Sequence, residues 1–300
     1  MTMIAPSLRA RRRAPLLPPP MPPAELQQFA LGIARAAVGS LYAELALYPK
    51  PGLVSLVDNG SHADMNAHTF MRSLFALRHY FQRICLAGAA DAPFDTLRRL
   101  GIEAEQRMLQ ATAGINTHRG AIFSMGMLCA AAGRARAQGI AANADALRST
   151  LLIHWGAALA AHTTAKGVRS NGLRAASLHG ASGAREEGAL GFPSVFDTGL
   201  PALRRTLAQA RSMRHARIDA LFALMAHVSD TNVYHRGGQH GARIVRSHAA
   251  AFLDAGATAA PDWEQRALAS HRVFVEHRLS PGGAADLLAA SCFVHAVSGQ

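Results

Sequence analysis

The chain has 300 residues and a formal net charge of +12, from 31 Lys and Arg against 19 Asp and Glu. Half of the residues are hydrophobic and only 6% aromatic, so a sizeable core is available and aliphatic side chains must fill it. Cys85, Cys129 and Cys292 stand alone with no CxxC, which argues against a disulfide framework or structural zinc site and for a reducing, cytoplasmic setting.

The positive balance favours anionic partners such as nucleotides, nucleic acid or acidic lipid. Residues 1–23 hold Arg9, Arg11, Arg12 and Arg13, then a Pro18-Pro19-Pro20 run. Prolines interrupt any apolar h-region there, so a disordered basic arm is expected rather than a signal peptide. Residues 24–300 show no fixed-period repeat and no Pro- or Ser-rich linker, and one domain is expected. No uninterrupted apolar run of about 18 residues occurs, so a membrane span is not expected.

From Ala24, apolar residues at Leu26, Phe29, Ile33, Ala37, Leu41 and Leu45 recur at helical spacing up to Pro49. Further helices are predicted over Asn66–Leu86, Pro93–Ala111, His118–Ala137 and Asn143–Thr163. Residues 164–201 are glycine-rich and read as an irregular, functional connection. Helices resume over Pro201–Arg211, Ala216–Ser229, Gly238–Asp254, Pro261–His277 and Gly283–Ala296. Strand signals are nearly absent, so the fold class expected is all-α, with about ten helices.

Four segments at helix joins carry residues that build no core, in positions where function tends to reside. In Tyr48-Pro49-Lys50-Pro51-Gly52, two prolines hold the backbone open around a lysine that suits a phosphate. Asp58, Asn59, His62 and Asp64 follow within a few residues. Their oxygens suit Mg²⁺, and the bland alternative is a turn followed by a cap from Ser61 or Asp64. Asn116, Thr117, His118, Arg119 and Gly120 stand at a helix start, a natural phosphate seat or an ordinary N-cap. Asp230, Thr231, Asn232, His235, Arg236, Gly237 and Gly238 follow an apolar helix. Asp230 is read as a catalytic carboxylate or metal ligand, against a capping role, and His227 is expected on the same helix face. The glycine pair would let backbone approach a ligand. The last segment runs from Leu279 to Asp286. His179, Arg185, Glu186 and Glu187 form a further charged group in the glycine-rich stretch, and Glu186 is a second acid–base candidate beside a solvated-cluster reading.

These segments read PKPGLV, DNGSHADM, GINTHRGAIF, the Asp-Thr-Asn to His-Arg-Gly-Gly run and LSPGGAADLLA, in that order. Together they resemble the triphosphoribosyl-dephospho-coenzyme A synthases over nearly everything after the first two dozen residues. The resemblance implies a transferase in which the 2′-hydroxyl of 3′-dephospho-coenzyme A attacks C1′ of ATP and adenine leaves. The product is the prosthetic-group precursor of an acyl carrier protein, handed on to a holo-acyl-carrier-protein transferase. The transition state would be oxocarbenium-like.

Lys50, Asn59, His62, Asn116, His118, Arg119, Asn232, Arg236, Gly237 and Gly238 would then bind substrate. Asp58, Asp64 and Asp230 would hold Mg²⁺, with Asp230, Asp64 and Glu186 as catalytic acids or bases; Glu44 or Glu186 would face adenine. Leu53–Asp58 and Arg72–Arg78 look more like the malonate decarboxylase branch than the citrate lyase branch. A homodimer is left open. Two other classes compete: a Mg²⁺-dependent N-glycosidase or ADP-ribosyl hydrolase, and a basic nucleic-acid-binding protein. The charges gather in motif loops rather than one stripe, which ranks the second of these last.

Overall fold

The computed structural model describes residues 22–164 and 183–299. The basic arm falls outside the described residues except for Pro22 and Pro23, and so does His179. The described chain is all-α, as expected. It contains α1 (Pro23–Leu45), α2 (Ala67–Ala89), α3 (Phe94–Ala111), α4 (Arg119–Ala137), α5 (Ala144–Thr164) and α6 (Ala184–Ala189). A π-helical turn (Ser194–Gly199) leads into α7 (Leu200–Ala208). Then follow α8 (Met213–His227), α9 (Thr231–Asp254), a 3₁₀ turn (Ala257–Ala259), α10 (Trp263–Glu276) and α11 (Gly282–Ser298). Among the described residues there is no strand.

Two nearly all-apolar helices, α4 and α11, form the centre. Helix α4 packs against α2 and α5, and α11 against α1, α4 and α8. Their sequences explain the position: α11 reads GGAADLLAASCFVHAVS and buries Leu288, Ala290, Phe293 and Val294 completely. A helix that is apolar on all sides can only be stable inside. The small residues have a specific use. A Cβ at Gly88 on α2 would run into the Ala130 backbone of α4, and one at Gly133 on α4 into the Cys85 carbonyl of α2. The two helices therefore meet backbone to backbone. Gly133→Ala should destabilise the protein by roughly 1–3 kcal/mol, the usual cost of overpacking, and thermal melts would show it. An unchanged melting temperature would mean the helices separate at no cost.

Several boundaries move because of caps. Helix α2 is capped by Asn66, which accepts the Thr69 N–H at 3.0 Å, and not by Ser61 or Asp64. Helix α8 begins at Met213 instead of Ala216 because Ser212 accepts the His215 N–H at 3.3 Å. Helix α9 begins at Thr231, capped by Asp230, instead of Gly238. Gly238 lies inside it with φ 58° and ψ −154°, breaking it into two helical pieces. The stretch from Ala184 to Leu200, read as irregular, is helical throughout most of its length. Here Glu187 accepts from both Ser194 Oγ (2.6 Å) and Ser194 N–H (3.2 Å), tying α6 to the π-helical turn.

No helix among the described residues is long and apolar enough to cross a membrane. All three cysteines are free and buried.

Candidate active site

The four motif segments come together. The 48–62 loop lies on the turn between α10 and α11. Ser61 Oγ donates to Leu279 O at 2.6 Å and to Phe274 O at 3.1 Å. Gly52 sits at φ 69°, and a Cβ there would strike the Leu279 carbonyl, so both the turn and the close approach need glycine. Arg236 reaches over from α9. Its Nη1 donates to Ser61 O at 3.2 Å and Arg278 O at 3.4 Å, and its Nη2 donates to His62 Nδ1 at 3.0 Å.

Because an arginine only donates, His62 Nδ1 is the acceptor. Its proton therefore sits on Nε2 and is given to Ser280 Oγ at 2.8 Å. Burial and then Arg236 lower the His62 pKa, so the neutral ring dominates and the 3.5 Å approach of Asp64 is not an ion pair in that form. The result is an exposed basic rim of Arg236 over a fixed imidazole.

Beneath the rim is a buried group of charges. Lys50, expected on a phosphate, is only 1% exposed and donates to Glu44 Oε1 on α1 at 2.5 Å. Burial pushes the Lys50 pKa down while Glu44 pushes it back up. His118, at the start of α4, is buried with Nδ1 2.6 Å from Ser73 Oγ of α2 and its ring edge-on to Phe70. Its Nε2 has no hydrogen-bond partner, nor has the buried Thr117 Oγ1 beside it.

Burial, with a smaller push from the Lys50 charge, lowers His118 from 6.5 to about 3. Between those values the unfolded chain binds a proton that the folded chain does not. Stability therefore falls as pH drops through that window. His118→Gln should lose less stability than wild type between pH 6.5 and 3, read from melts at stepped pH; parallel curves would place the acid sensitivity elsewhere.

Asp230 is buried at the start of α9. Its Oδ1 accepts the Asn232 N–H at 2.9 Å and its Oδ2 the Ala284 N–H of α11 at 3.0 Å, and the Val233 and Gly283 N–H groups also point to it. Four N–H donors match the roughly four lone-pair positions of a carboxylate. Burial nevertheless outweighs them and raises its pKa. Asp230 does not share a helix face with His227: α8 ends at His227, and Asp230 caps the next helix. The fifth member of the group is Asp286 on α11. It faces Gly120 and accepts the Ala121 N–H, with Glu44 and Asp230 near enough to raise its pKa. Sequence reasoning passed over Asp286 and reached Glu44 only as a guess. The signal was present in both: Asp286 is the one acid of the apolar α11, next to Leu287 and Leu288, and Glu44 sits on the apolar stripe of α1 between Leu41 and Leu45.

Other predicted residues lie at the edge. Asn116 is exposed and its Oδ1 accepts the Arg119 N–H at 3.1 Å, the capping role. Arg119 is exposed and pairs with Glu105 of α3 at 2.5 Å. Asn59 is exposed and closes the loop through its carbonyl, which accepts the His62 N–H at 3.2 Å. Asn232 is exposed, and a Cβ on Gly282 would come 3.0 Å from its Nδ2. A Cβ on Gly237 would press on Leu279 at 2.6 Å, so this glycine serves packing of α9 on the 279 turn. Glu186 is exposed on α6, and no hydrogen bond or ion pair joins it to this assembly.

The expected metal set does not draw together. Asp58 Oδ1 accepts the Gly60 N–H at 2.8 Å and lies 3.5 Å from His271 Nε2. The Asp64 side chain is 60% exposed, and Asp230 is filled by N–H donors. Among the described residues no group of three or more His, Cys, Asp or Glu could hold a metal ion.

Comparison with known proteins identifies the relatives of the chain. A family model described as CitG, ATP:dephospho-CoA triphosphoribosyl transferase, matches residues 30–300. A protein of Acinetobacter calcoaceticus named "Probable 2-(5''-triphosphoribosyl)-3'-dephosphocoenzyme-A synthase" is 40% identical over 270 residues, covering 90% of this chain and 92% of its own. One from Pectobacterium atrosepticum, named "2-(5''-triphosphoribosyl)-3'-dephosphocoenzyme-A synthase", is 37% identical over 272 residues, 86% of this chain and 87% of its own. No solved structure matches. The matched span takes in the 48–62 loop, the start of α4, the start of α9 and the turn into α11, and the chain belongs to the ATP:dephospho-CoA triphosphoribosyl transferase family.

Proposed function

We propose that this chain moves the triphosphoribosyl group of ATP to the 2′-hydroxyl of 3′-dephospho-coenzyme A and releases adenine. The observation that carries the reading is the meeting of the four motif segments at one place, with a basic rim over a buried set of carboxylates, a lysine and a histidine. Such a division suits the reaction. The triphosphate needs cations that stay at the surface, and the leaving base needs groups that hold or give a proton in a desolvated recess.

On this reading Arg236, hydrogen-bonded to His62, faces the phosphates. Asn232, Asn116 and Arg119 stand at the edge of the rim. Mg²⁺ arrives with ATP as the counter-ion of the phosphates, where few protein carboxylates are needed; the exposed Asp64 is the one at the rim. Asp230 positions rather than transfers: its N–H bonds fasten the start of α9 to the start of α11, which sets Arg236 and Asp286 relative to each other. Lys50 fixes Glu44 in the floor.

We place the chain in the malonate decarboxylase branch, on the residues of 53–58 and 72–78. Its product is consumed by a transferase that loads an acyl carrier protein, and the reaction runs in the cytoplasm. An N-glycosidase would use the same attack with water as acceptor. Adenine release measured with and without 3′-dephospho-coenzyme A separates the two. The transferase reading expects release that depends on the acceptor; equal release without it supports the hydrolase.

A further inference from the structure

Asp286 has a surrounding that a core acid does not need. The residue is half-buried on α11, and its carboxyl meets Gly120 and the Ala121 N–H at the start of α4. Three elements face it: α1 with Glu44, itself paired with Lys50, the start of α4 with Gly120 and the Ala121 N–H, and the start of α9 with Asp230. Any side chain at 120 would fill the space against Asp286 Oδ2. Independently of the acid, the same start of α4 carries His118 Nε2 and Thr117 Oγ1, both buried and without partners. Buried polar atoms are nearly always satisfied, and an orphaned pair on the helix start that Asp286 meets points to a ligand that supplies the missing bonds.

Resting on the function proposed above, we propose that Asp286 is a catalytic residue whose carboxyl proton leaves with adenine, while His118 Nε2 and Thr117 Oγ1 meet the base. The C1′–N9 bond of ATP breaks and its electron pair goes to the purine. Asp286 gives its proton to a ring nitrogen, so adenine leaves neutral and a carboxylate remains. The new bond forms between C1′ and the 2′-oxygen of dephospho-coenzyme A. The proton lost by that hydroxyl returns to the carboxylate, and the cluster ends the cycle as it began. Burial, then the negative charges of Glu44 and Asp230, hold Asp286 well above the usual carboxylate range, which favours the proton-bearing form the step requires.

The test compares wild type with Asp286→Asn on two substrates: ATP and its N7-methylated analogue, whose base departs neutral without gaining a proton. With ATP, Asp286→Asn should lose on the order of 10²–10⁴-fold in adenine release, and with the analogue roughly tenfold less than that or smaller still. A structural role for Asp286 predicts equal losses on both substrates. Equal losses, or full activity on ATP, would overturn the proposal. Melting curves accompany the assay; should the Asn variant fail to fold, Asp286→Ser, which keeps an acceptor for the Ala121 N–H, decides by the same ratio. No adenine release by wild type with ATP and dephospho-coenzyme A would remove the underlying function and this proposal together. Wild-type turnover with equal losses removes the role of Asp286 alone.

Discussion

Lys50→Met should destabilise the fold by roughly 3–5 kcal/mol, because it leaves the Glu44 carboxylate buried with no counter-charge. Both side chains are almost fully enclosed, and the contact is 2.5 Å. The double substitution Glu44→Gln with Lys50→Met removes both charges and should recover most of the loss, since a buried pair contributes little beyond what an uncharged pair of similar volume would. Chemical denaturation of the single and double variants measures the coupling. A single variant as stable as wild type would show that Lys50 is not held by Glu44 in solution. Such a result would return Lys50 to the phosphate-facing role that its two flanking prolines imply.

Asp230→Asn carries the second large effect. A carboxylate-to-carboxamide change at an ordinary cap is close to neutral. Here both oxygens accept backbone N–H groups, Asn232 on one side and Ala284 on the other. The new NH₂ must therefore face a donor, leaving buried polar groups unpaired, at roughly 1–3 kcal/mol. A lower melting temperature and lower turnover are expected together, since the junction of α9 with α11 loosens. Calorimetry alongside the adenine assay checks this. Unchanged stability with lost turnover would instead give Asp230 a direct chemical part. Nothing in Asp230-Thr231-Asn232 announces that Ala284 donates to the same side chain.

The pattern of what the sequence shows follows from range. Helix periodicity is local, so α1, α3, α4 and α5 emerge within a few residues of their observed ends. Caps are local too, yet several residues compete for each. Asn66 prevails over Ser61 and Asp64 because its side chain reaches the Thr69 N–H while theirs are engaged in or exposed on the loop. Glycine-rich composition misled at 184–200, where Gly188 allows α6 to seat on Phe123, and Gly199 makes room for Ser291. At the site, the motif loops were legible as chemistry but not as depth. Lys50 and His118 read as phosphate- and substrate-binding residues and are buried. Asp286 reads as one acid in an apolar helix and lies in the middle of the cluster. Which charges meet across the fold depends on the packing of α1, α4, α9 and α11, and no single window of sequence contains it.

The central claim, that these loops build one triphosphoribosyl-transfer site, is tested most directly by the mass of the product. The protein is incubated with ATP, Mg²⁺ and 3′-dephospho-coenzyme A, and the acceptor is weighed by mass spectrometry while free adenine is quantified. The account predicts adenine and a dephospho-coenzyme A conjugate in equal amounts, the conjugate heavier by one triphosphoribosyl group. Release of ADP or pyrophosphate without adenine, or adenine with an acceptor of unchanged mass, would contradict it.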